Sequence, residues 1–422
     1  MGRVIVIGGG ASGMMAAGTA AEAGGEVLLL EKNSALGKKL LITGKGRCNL
    51  TNACEIEEVI DRFGSGGKFL YSALHVFPPS AVWQFFADRG LELVVERGRR
   101  VFPASGNSAD VVKVFKDYLA QQGVIVKLNS PVEEIIIQGE EARHIAGVKL
   151  ANGNFLSADA VILASGGASY PGTGSTGDGY LMAAKLGHTL QPLYPALVPL
   201  KTKEEWVKGA AGLSLRNVRA RLLDGEEVLG SEFGEMLITH FGVSGPIILT
   251  LSRFVAPRVQ QGKPLRLEID LKPALDDERL DDRLRRDFQE YARKSLKNAL
   301  KSLLPKALIP VVIALCNLAP ERPVHQITRE QRHQLLRVLK GLPLTITGTL
   351  PLSAAIVTQG GVSLNEVDPR TMASRLVRGL FFGGEVIDLA ADTGGFNLQA
   401  AFATGYVAGR HAVAATAAKA LH

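Results

Sequence analysis

The sequence predicts an α/β protein: a parallel sheet that opens on a glycine-rich nucleotide loop, split in the chain by a β-rich insertion bearing a small helical cap. Three observations predict it. Residues 3–31 read as strand, glycine loop, helix and strand. The run Asp159–Ala164 is continuously apolar after its first residue, as a strand buried on both faces should be. Glycine-rich texture fades after Gly187 and returns near Leu352, so the first domain is discontinuous. The expected layout is a nucleotide domain over 1–190 and 352–422, a β-rich insertion over 191–277 with a return at 341–351, and a helical cap over 278–340.

Taken in order, Arg3–Ile7, Ser12–Ala23 and Glu26–Glu31 form a β-α-β unit with parallel strands. Lys32–Asn52 is rich in Gly and Lys and reads as a long loop or short helix, a length that usually serves function. Pro78–Gly90 and Ser108–Gln122 have helical spacing, starting at Pro79-Ser80 and Asn107-Ser108. Val124–Leu128, Val132–Gln138 and Gly147–Lys149 read as strands separated by turn residues. Closely spaced Pro192, Pro195 and Pro199 mark the crossing into the insertion. Within it Val218–Leu222 and Leu265–Leu271 read as strands, Glu278–Leu304 and Arg329–Lys340 as charged helices.

Composition narrows the class. A hydrophobic fraction of 46% and a charged fraction of 21% exclude a disordered chain. The longest apolar stretch, Leu308–Ala319, falls short of the roughly 20 residues a bilayer helix needs, so no membrane partner is expected. Met1 leads almost directly into a strand, and the cytoplasm is the expected location. Cys48, Cys54 and Cys316 have neither disulfide nor metal-ligand spacing. No H-E-x-x-H, G-x-S-x-G or Walker lysine pattern supports a hydrolase or triphosphatase.

The net charge of +7 is concentrated between Gln191 and Leu350, which holds 25 Lys and Arg against 18 Asp and Glu. Within it Tyr291–Lys340 has ten basic and two acidic residues. A solvated helical surface is preferred here over a polyanion patch. With Tyr291 as its one aromatic the segment offers little stacking surface for bases, so nucleic acid is not the expected partner.

The chemistry starts at Gly8, Gly10 and Gly13, which fill G-x-G-x-x-G between a strand and a helix. The spacing gives a tight turn, backbone approach to a pyrophosphate and close helix packing, with Ala11 and Ser12 at the helix N-terminus. Glu31, ending the second strand, suits ribose hydroxyls and disfavours a 2′-phosphate. The nucleotide is therefore ADP-like, FAD or NAD. FAD is selected by three further stretches: Gly37 followed by 38–49, the turn Ala164-Ser165-Gly166, and the C-terminal pair Gly379–Glu385 and Asp392–Leu398. The last supplies Gly384 and Glu385 at a strand end, and Gly394, Gly395, Phe396, Asn397 and Leu398 entering a helix whose N-terminus can face a reduced flavin. Lys32, Lys38, Val132 and Asp388 complete the expected cofactor set.

With Thr43–Asn52, Thr239–Pro246 and Thr358–Val362, these motifs resemble the bacterial YhiN-like (BaiN/RdsA-like) flavoproteins nearly end to end. The resemblance implies an FAD-binding two-dinucleotide fold with an inserted β-barrel and helical domain. It also implies Gly44, Gly46, Arg47, Cys48 and Asn49 near the isoalloxazine, with Gly361 passing beside it. Members include aminoacetone oxidases and proposed steroid-skeleton reductases. Arg47, Asn49 and His240 are the candidate catalytic residues, Arg47 for an anionic flavin or substrate and His240 for proton transfer. Packing is favoured over redox chemistry for Cys48. Tyr170 is a candidate to line the substrate pocket. The expected activity is hydride exchange between flavin N5 and a small substrate bound between FAD domain and insertion, with NAD(P)H or an amine as donor. An RNA-directed flavoprotein and a non-enzymatic flavin sensor are the alternatives.

Overall fold

In the computed structural model, which describes residues 2–139, 142–260 and 262–419, the chain starts as strand β1 (Arg3–Ile7), helix α1 (Ala11–Glu22) and strand β2 (Glu26–Leu30). Strand β3 (Ile125–Lys127) and the fully buried β4 (Ala160–Leu163) follow. Six strands form the insertion: β5 (Leu200–Thr202), β6 (Ser214–Asp224), β7 (Glu227–Thr239), β8 (Gly242–Ser244), β9 (Leu265–Asp270) and β10 (Leu342–Thr349). Helices α2 (Asp277–Glu290) and α3 (Arg329–Lys340) lie between β9 and β10. Strand β11 (Leu380–Phe382) and helix α4 (Phe396–Lys419) then complete the chain. The two compact units are Met1–Tyr194 with Leu352–His422, and Pro195–Pro351.

In the first unit β11-β4-β1-β2-β3 make one parallel sheet, registered by Val4 against Ala160 and Val27 and by Val161 against Leu380. Small residues let α1 lie close to its neighbours. A Cβ on Gly13 would stand 1.8 Å from the Gly8 carbonyl oxygen; on α4, Cβ atoms at Gly405 and Gly409 would stand 2.4 Å from Ser12 O and 2.5 Å from Ala16 O. No side chain fits in those gaps, so backbone packs on backbone.

The second unit is a closed barrel in the order β5-β8-β7-β6-β9-β10. Alternation explains it: Leu265, Leu267 and Ile269 are buried while Arg266, Glu268 and Asp270 face outward or sideways. Arg332 of α3 ties back to Asp281 of α2 at 2.6 Å. The expected helix Glu278–Leu304 is corrected here. It stops at Glu290, and a short turn of helix resumes at Leu296–Ala299. The break arises because Ser295 bridges Pro323 and the Leu296 N–H donates to the Arg322 carbonyl (2.8 Å), pairing that stretch with a distant segment. The long β6–β7 hairpin exceeds the expected Val218–Leu222 because its outer positions are charged and its hydrophobic run is short. Among the described residues no helix is long and apolar enough to cross a membrane.

Candidate functional site

The carboxyl ends of β1, β2, β4 and β11 lie along one edge of the parallel sheet, at the point where the strand order reverses between β1 and β4. Crevices at such reversals receive nucleotides. Gly8, at φ +106°, turns the chain there and donates its N–H to Leu30 O (2.8 Å). Gly10 is the N-cap of α1, has no side-chain cap, and has nothing within 4 Å of where a Cβ would stand. The buried hydroxyls of Ser12 and Ser165 have no hydrogen-bond partner among the described residues. A helix N-terminus with uncommitted N–H groups, an open approach and unpaired hydroxyls has the donor set a pyrophosphate needs. Ala11 begins α1, and Ala164 and Gly166 flank Ser165 in the turn after β4.

Glu31, at the end of β2, is 6% exposed. One carboxylate oxygen accepts from Gly9 N–H (2.7 Å); the other accepts from the Asn33 backbone N–H (2.8 Å) and side-chain amide (2.7 Å). The carboxylate thus braces the glycine loop. Asn33 also donates to Thr173 O (3.2 Å) and accepts from Lys38 Nζ (3.2 Å), while Lys32 Nζ donates to Thr176 (2.6 Å) and Asp178 (2.8 Å). Residues 171–178 are thereby fastened across the end of β2. Val132 is buried at the start of a neighbouring strand, near where Ser130 N–H donates to Glu31 O (2.9 Å).

At the end of β11 the Glu385 carboxylate accepts from Lys39 Nζ (2.7 Å), Ser169 Oγ (3.1 Å) and Thr358 N–H (2.7 Å). Lys39 also donates to Ser169 Oγ (2.8 Å), and Tyr180 donates its hydroxyl to Glu385 O (3.1 Å). Burial, reinforced by the Glu385 charge, raises the Tyr180 phenol well above its ordinary pKa. Gly384 packs on Ser12 and donates to Thr404 Oγ1 of α4 (2.9 Å). Gly361, at φ +133°, passes so close to the chain at Val386 O that a Cβ would stand 2.7 Å away. The Asp388 carboxyl is pushed up by burial, against a hydrogen bond from Gly360 N–H.

The stretch 43–52 folds back in left-handed geometry, with Gly44, Lys45, Gly46 and Cys48 at φ +57°, +59°, +83° and +59°. Two non-glycine residues there cost about 1 kcal/mol each. Side chains on both flanks hold the stretch in place. With its amide oriented by its partners, Asn49 donates to Thr51 O (3.1 Å) and Val101 O (3.2 Å) and accepts from Gly395 N–H (2.9 Å). Asn52 donates to Gly394 O (3.1 Å), and Thr51 donates to Gln399 of α4 (2.6 Å). The approach to α4 is thus sewn to residues 49–52.

Several expected site residues have other principal partners. Arg47 pairs with Glu96 and lies 4.3 Å over the Phe102 ring, so its charge is already matched. The Asn49 amide is committed to backbone. Asn397 closes a turn, donating to Ala391 O (3.0 Å) and accepting from Ala391 N–H (2.9 Å). Phe396 is buried at the start of α4 and Leu398 packs partly buried on the core. Burial pushes the Cys48 thiol up to about 12, which matches a packing role. His240 belongs to the second unit, exposed at the turn from β7 to β8 and edge-on to Phe241. Tyr170 is 38% exposed at φ +52°. Asn33, Lys39, Ser169, Thr358 and Thr404 escaped the sequence reading; the polar residues beside the glycines in Ser165–Ser169 and Thr358–Gly361 were the available pointers to Ser169 and Thr358. A buried His188 lies 3.1 Å from Glu366 and 2.9 Å from Ser374 Oγ. It has no access to solvent, and Ser374 Oγ also accepts two backbone N–H groups, so this line is a structural clamp.

The profile described as the HI0933-like protein Rossmann domain matches residues 2–411. A 3-dehydro-bile acid delta(4,6)-reductase of Clostridium scindens is 36% identical over 98% of this chain and 99% of its own. A ribosomal RNA dihydrouridine synthase of Escherichia coli is 30% identical over 97% of this chain and 98% of its own. Among solved structures, the 3-ketosteroid delta1-dehydrogenase of Sterolibacterium denitrificans superposes with a TM-score of 0.56 at 15% identity, covering 98% of this chain and all of that one. That likeness concerns the fold.

Proposed function

The chain belongs to the HI0933-like Rossmann family and is an FAD-dependent oxidoreductase, and from this premise we propose that it saturates a carbon–carbon double bond conjugated to a carbonyl. The observation that carries the proposal is what the two full-length relatives share. Their substrates, a bile acid and a ribosomal RNA, differ in size, charge and polarity. A 3-oxo-4,6-diene and the C5–C6 bond of uracil nevertheless present the same target, an electron-poor carbon β to a carbonyl.

Bound flavin supplies hydride at N5, so the protein's tasks are binding, orientation and electrostatics. The Gly8–Gly13 loop and the N-terminus of α1 would hold the pyrophosphate. Glu31, braced by Gly9 and Asn33, would hold the adenosine ribose. Glu385, kept in place by Lys39, Ser169 and Thr358, fixes the end of β11 where the chain turns toward α4. NAD(P)H as electron donor fits a reductase, and the glycine loop between β1 and α1 is then left to FAD.

The test is anaerobic. Purified protein is mixed with NADPH or NADH and then with a 3-oxo-4,6-diene steroid or with unmodified ribosomal RNA transcribed in vitro, and mass spectrometry reads the gain of two hydrogen atoms. Gain in either substrate is expected. Flavin bleaching by a primary amine, with neither double bond reduced, would overturn the proposal.

A further inference from the structure

We propose that the basic surface of residues 291–327 in the second unit docks the phosphodiester backbone of a structured RNA. This deepens the reductase reading and rests on it for the chemistry, but not for the binding. The stretch contains Arg293, Lys294, Lys297, Lys301, Lys306 and Arg322 against the single acid Glu321. The fold gathers these charges from positions up to 29 residues apart. Ser295 bridges Pro323, Leu296 N–H donates to Arg322 O (2.8 Å), Lys297 N–H to Pro320 O (3.1 Å) and Val324 N–H to Lys294 O (3.1 Å). Residues 293–297 and 320–324 therefore run side by side. Ser302 Oγ, donating to Asp287 (3.3 Å), ties the turn that carries Lys301 to α2.

The contrast with α2 shows why this surface is not an ordinary solvated face. On α2 arginines are matched by carboxylates, with Arg283 on Asp287 (2.7 Å) and Arg285 on Asp281 (2.9 Å), and Asp281 also holds Arg332 of α3. On 291–327 the ion pair formed among the described residues is Lys297 with Glu321. Arg293, Lys294, Lys301 and Lys306 are exposed with no carboxylate partner among the described residues, and Lys294 lies 4.1 Å over the Tyr291 ring.

Exposed cations without carboxylate partners, on backbone segments that run side by side, suit a polyanion, whose condensed counterions are released on binding. RNA is favoured over an anionic membrane because the apolar side chains nearest these cations turn inward: Leu296, Leu300, Leu303, Leu304 and Leu308 are all buried, and Leu315, 40% exposed, is the one large apolar side chain of the stretch left open among the described residues. No wedge remains at those positions to enter a bilayer. The scarcity of aromatics, which argues against gripping single-stranded bases, is no obstacle to contacts with phosphates.

The test uses the full-length flavoprotein and fluorescently labelled ribosomal RNA transcribed in vitro, titrated over a range of NaCl. Replacing Arg293, Lys294 and Lys301 together by Ala should weaken binding about tenfold or more and flatten the slope of log K against log salt by about two units. Arg221→Ala on the barrel, where Arg221 pairs with Glu268 (2.6 Å), should change neither. Absence of salt-sensitive RNA binding by the wild type overturns the proposal, as does a triple variant with unaltered slope or binding to phosphatidylserine vesicles in place of RNA. Failure of the two readings is separable. Steroid reduction without RNA binding leaves the double-bond chemistry standing and removes the docking surface; RNA bound through these lysines and arginines but never reduced does the reverse.

Discussion

The two units work with different parts of the polypeptide. In the first, the site is made largely of backbone: the turn at Gly8, the uncapped end of α1 at Gly10, and the left-handed run around Gly44. In the second, the feature of interest is side-chain charge laid over a barrel whose interior is plain aliphatic. A backbone site is specified by where side chains are absent, and each glycine in it answers to a distance or a dihedral. A charged surface tolerates exchange among Lys and Arg and is specified only by its sum and by what fails to neutralise it.

The largest expected effect sharpens the first half of that comparison by separating two glycines three residues apart. Gly13→Val would put a side chain where a Cβ alone already lies 1.8 Å from Gly8 O, so α1 must leave β1. Loss of several kcal/mol and failure to accumulate soluble protein are expected. Gly10 has ordinary helical-entry geometry (φ −83°) and open space around its Cβ position. Gly10→Val should therefore keep a melting temperature close to that of flavin-free wild type yet purify colourless. A yellow Gly10→Val protein would show that this opening does not receive the pyrophosphate.

That difference also explains what was legible in the sequence. Gly8, Gly10, Gly13 and Glu31 were readable because their spacing is fixed by one turn between adjacent strands. The end of β11 was readable as a strand entering a Gly-acid turn. Lys39 was not, since its partners Ser169 and Glu385 are 130 and 346 residues away, and no local pattern distinguishes it from Lys38. Arg47 and Asn49 were assigned to the cofactor's surroundings by resemblance, and their side-chain partners, Glu96 and the backbone around Gly395, come from elsewhere in the chain. In the insertion, strands with clean alternation such as β9 were visible, whereas the break after α2 depends on the pairing of Ser295 with Pro323.

A smaller effect tests whether the second unit is held by charge as well as by its core. Asp281 is 7% exposed and accepts from Arg332 while also pairing with Arg285. The Arg332 hydrogen bond holds its carboxyl below the ordinary value. A group whose folded pKa is depressed contributes its full stability above its unfolded pKa of about 3.9 and loses it as pH falls through the lower folded value. Asp281→Asn should cost about 2 kcal/mol at pH 7, less than a fully enclosed pair because Arg285 is half exposed. The gap between wild type and variant should narrow on acidification below about pH 4. A gap that persists at pH 2 would assign Asp281 to packing instead.

The smallest expected effect is in chemical reactivity, and there the units should not differ at all. Cys48 and Cys54 lie in the first unit and Cys316 in the second, all buried. Burial pushes their thiols up to about 12, about 11 and about 11. Because the thiolate is the nucleophile, each is almost wholly protonated and shielded at pH 8. Iodoacetamide should label none of the three in native protein and all three after denaturation. Cys48 is the critical member, since it sits in the strained run beside Arg47. Selective native labelling of Cys48 would mean that residues 44–48 open to solvent, and the backbone site would then be a moving part instead of a fixed frame.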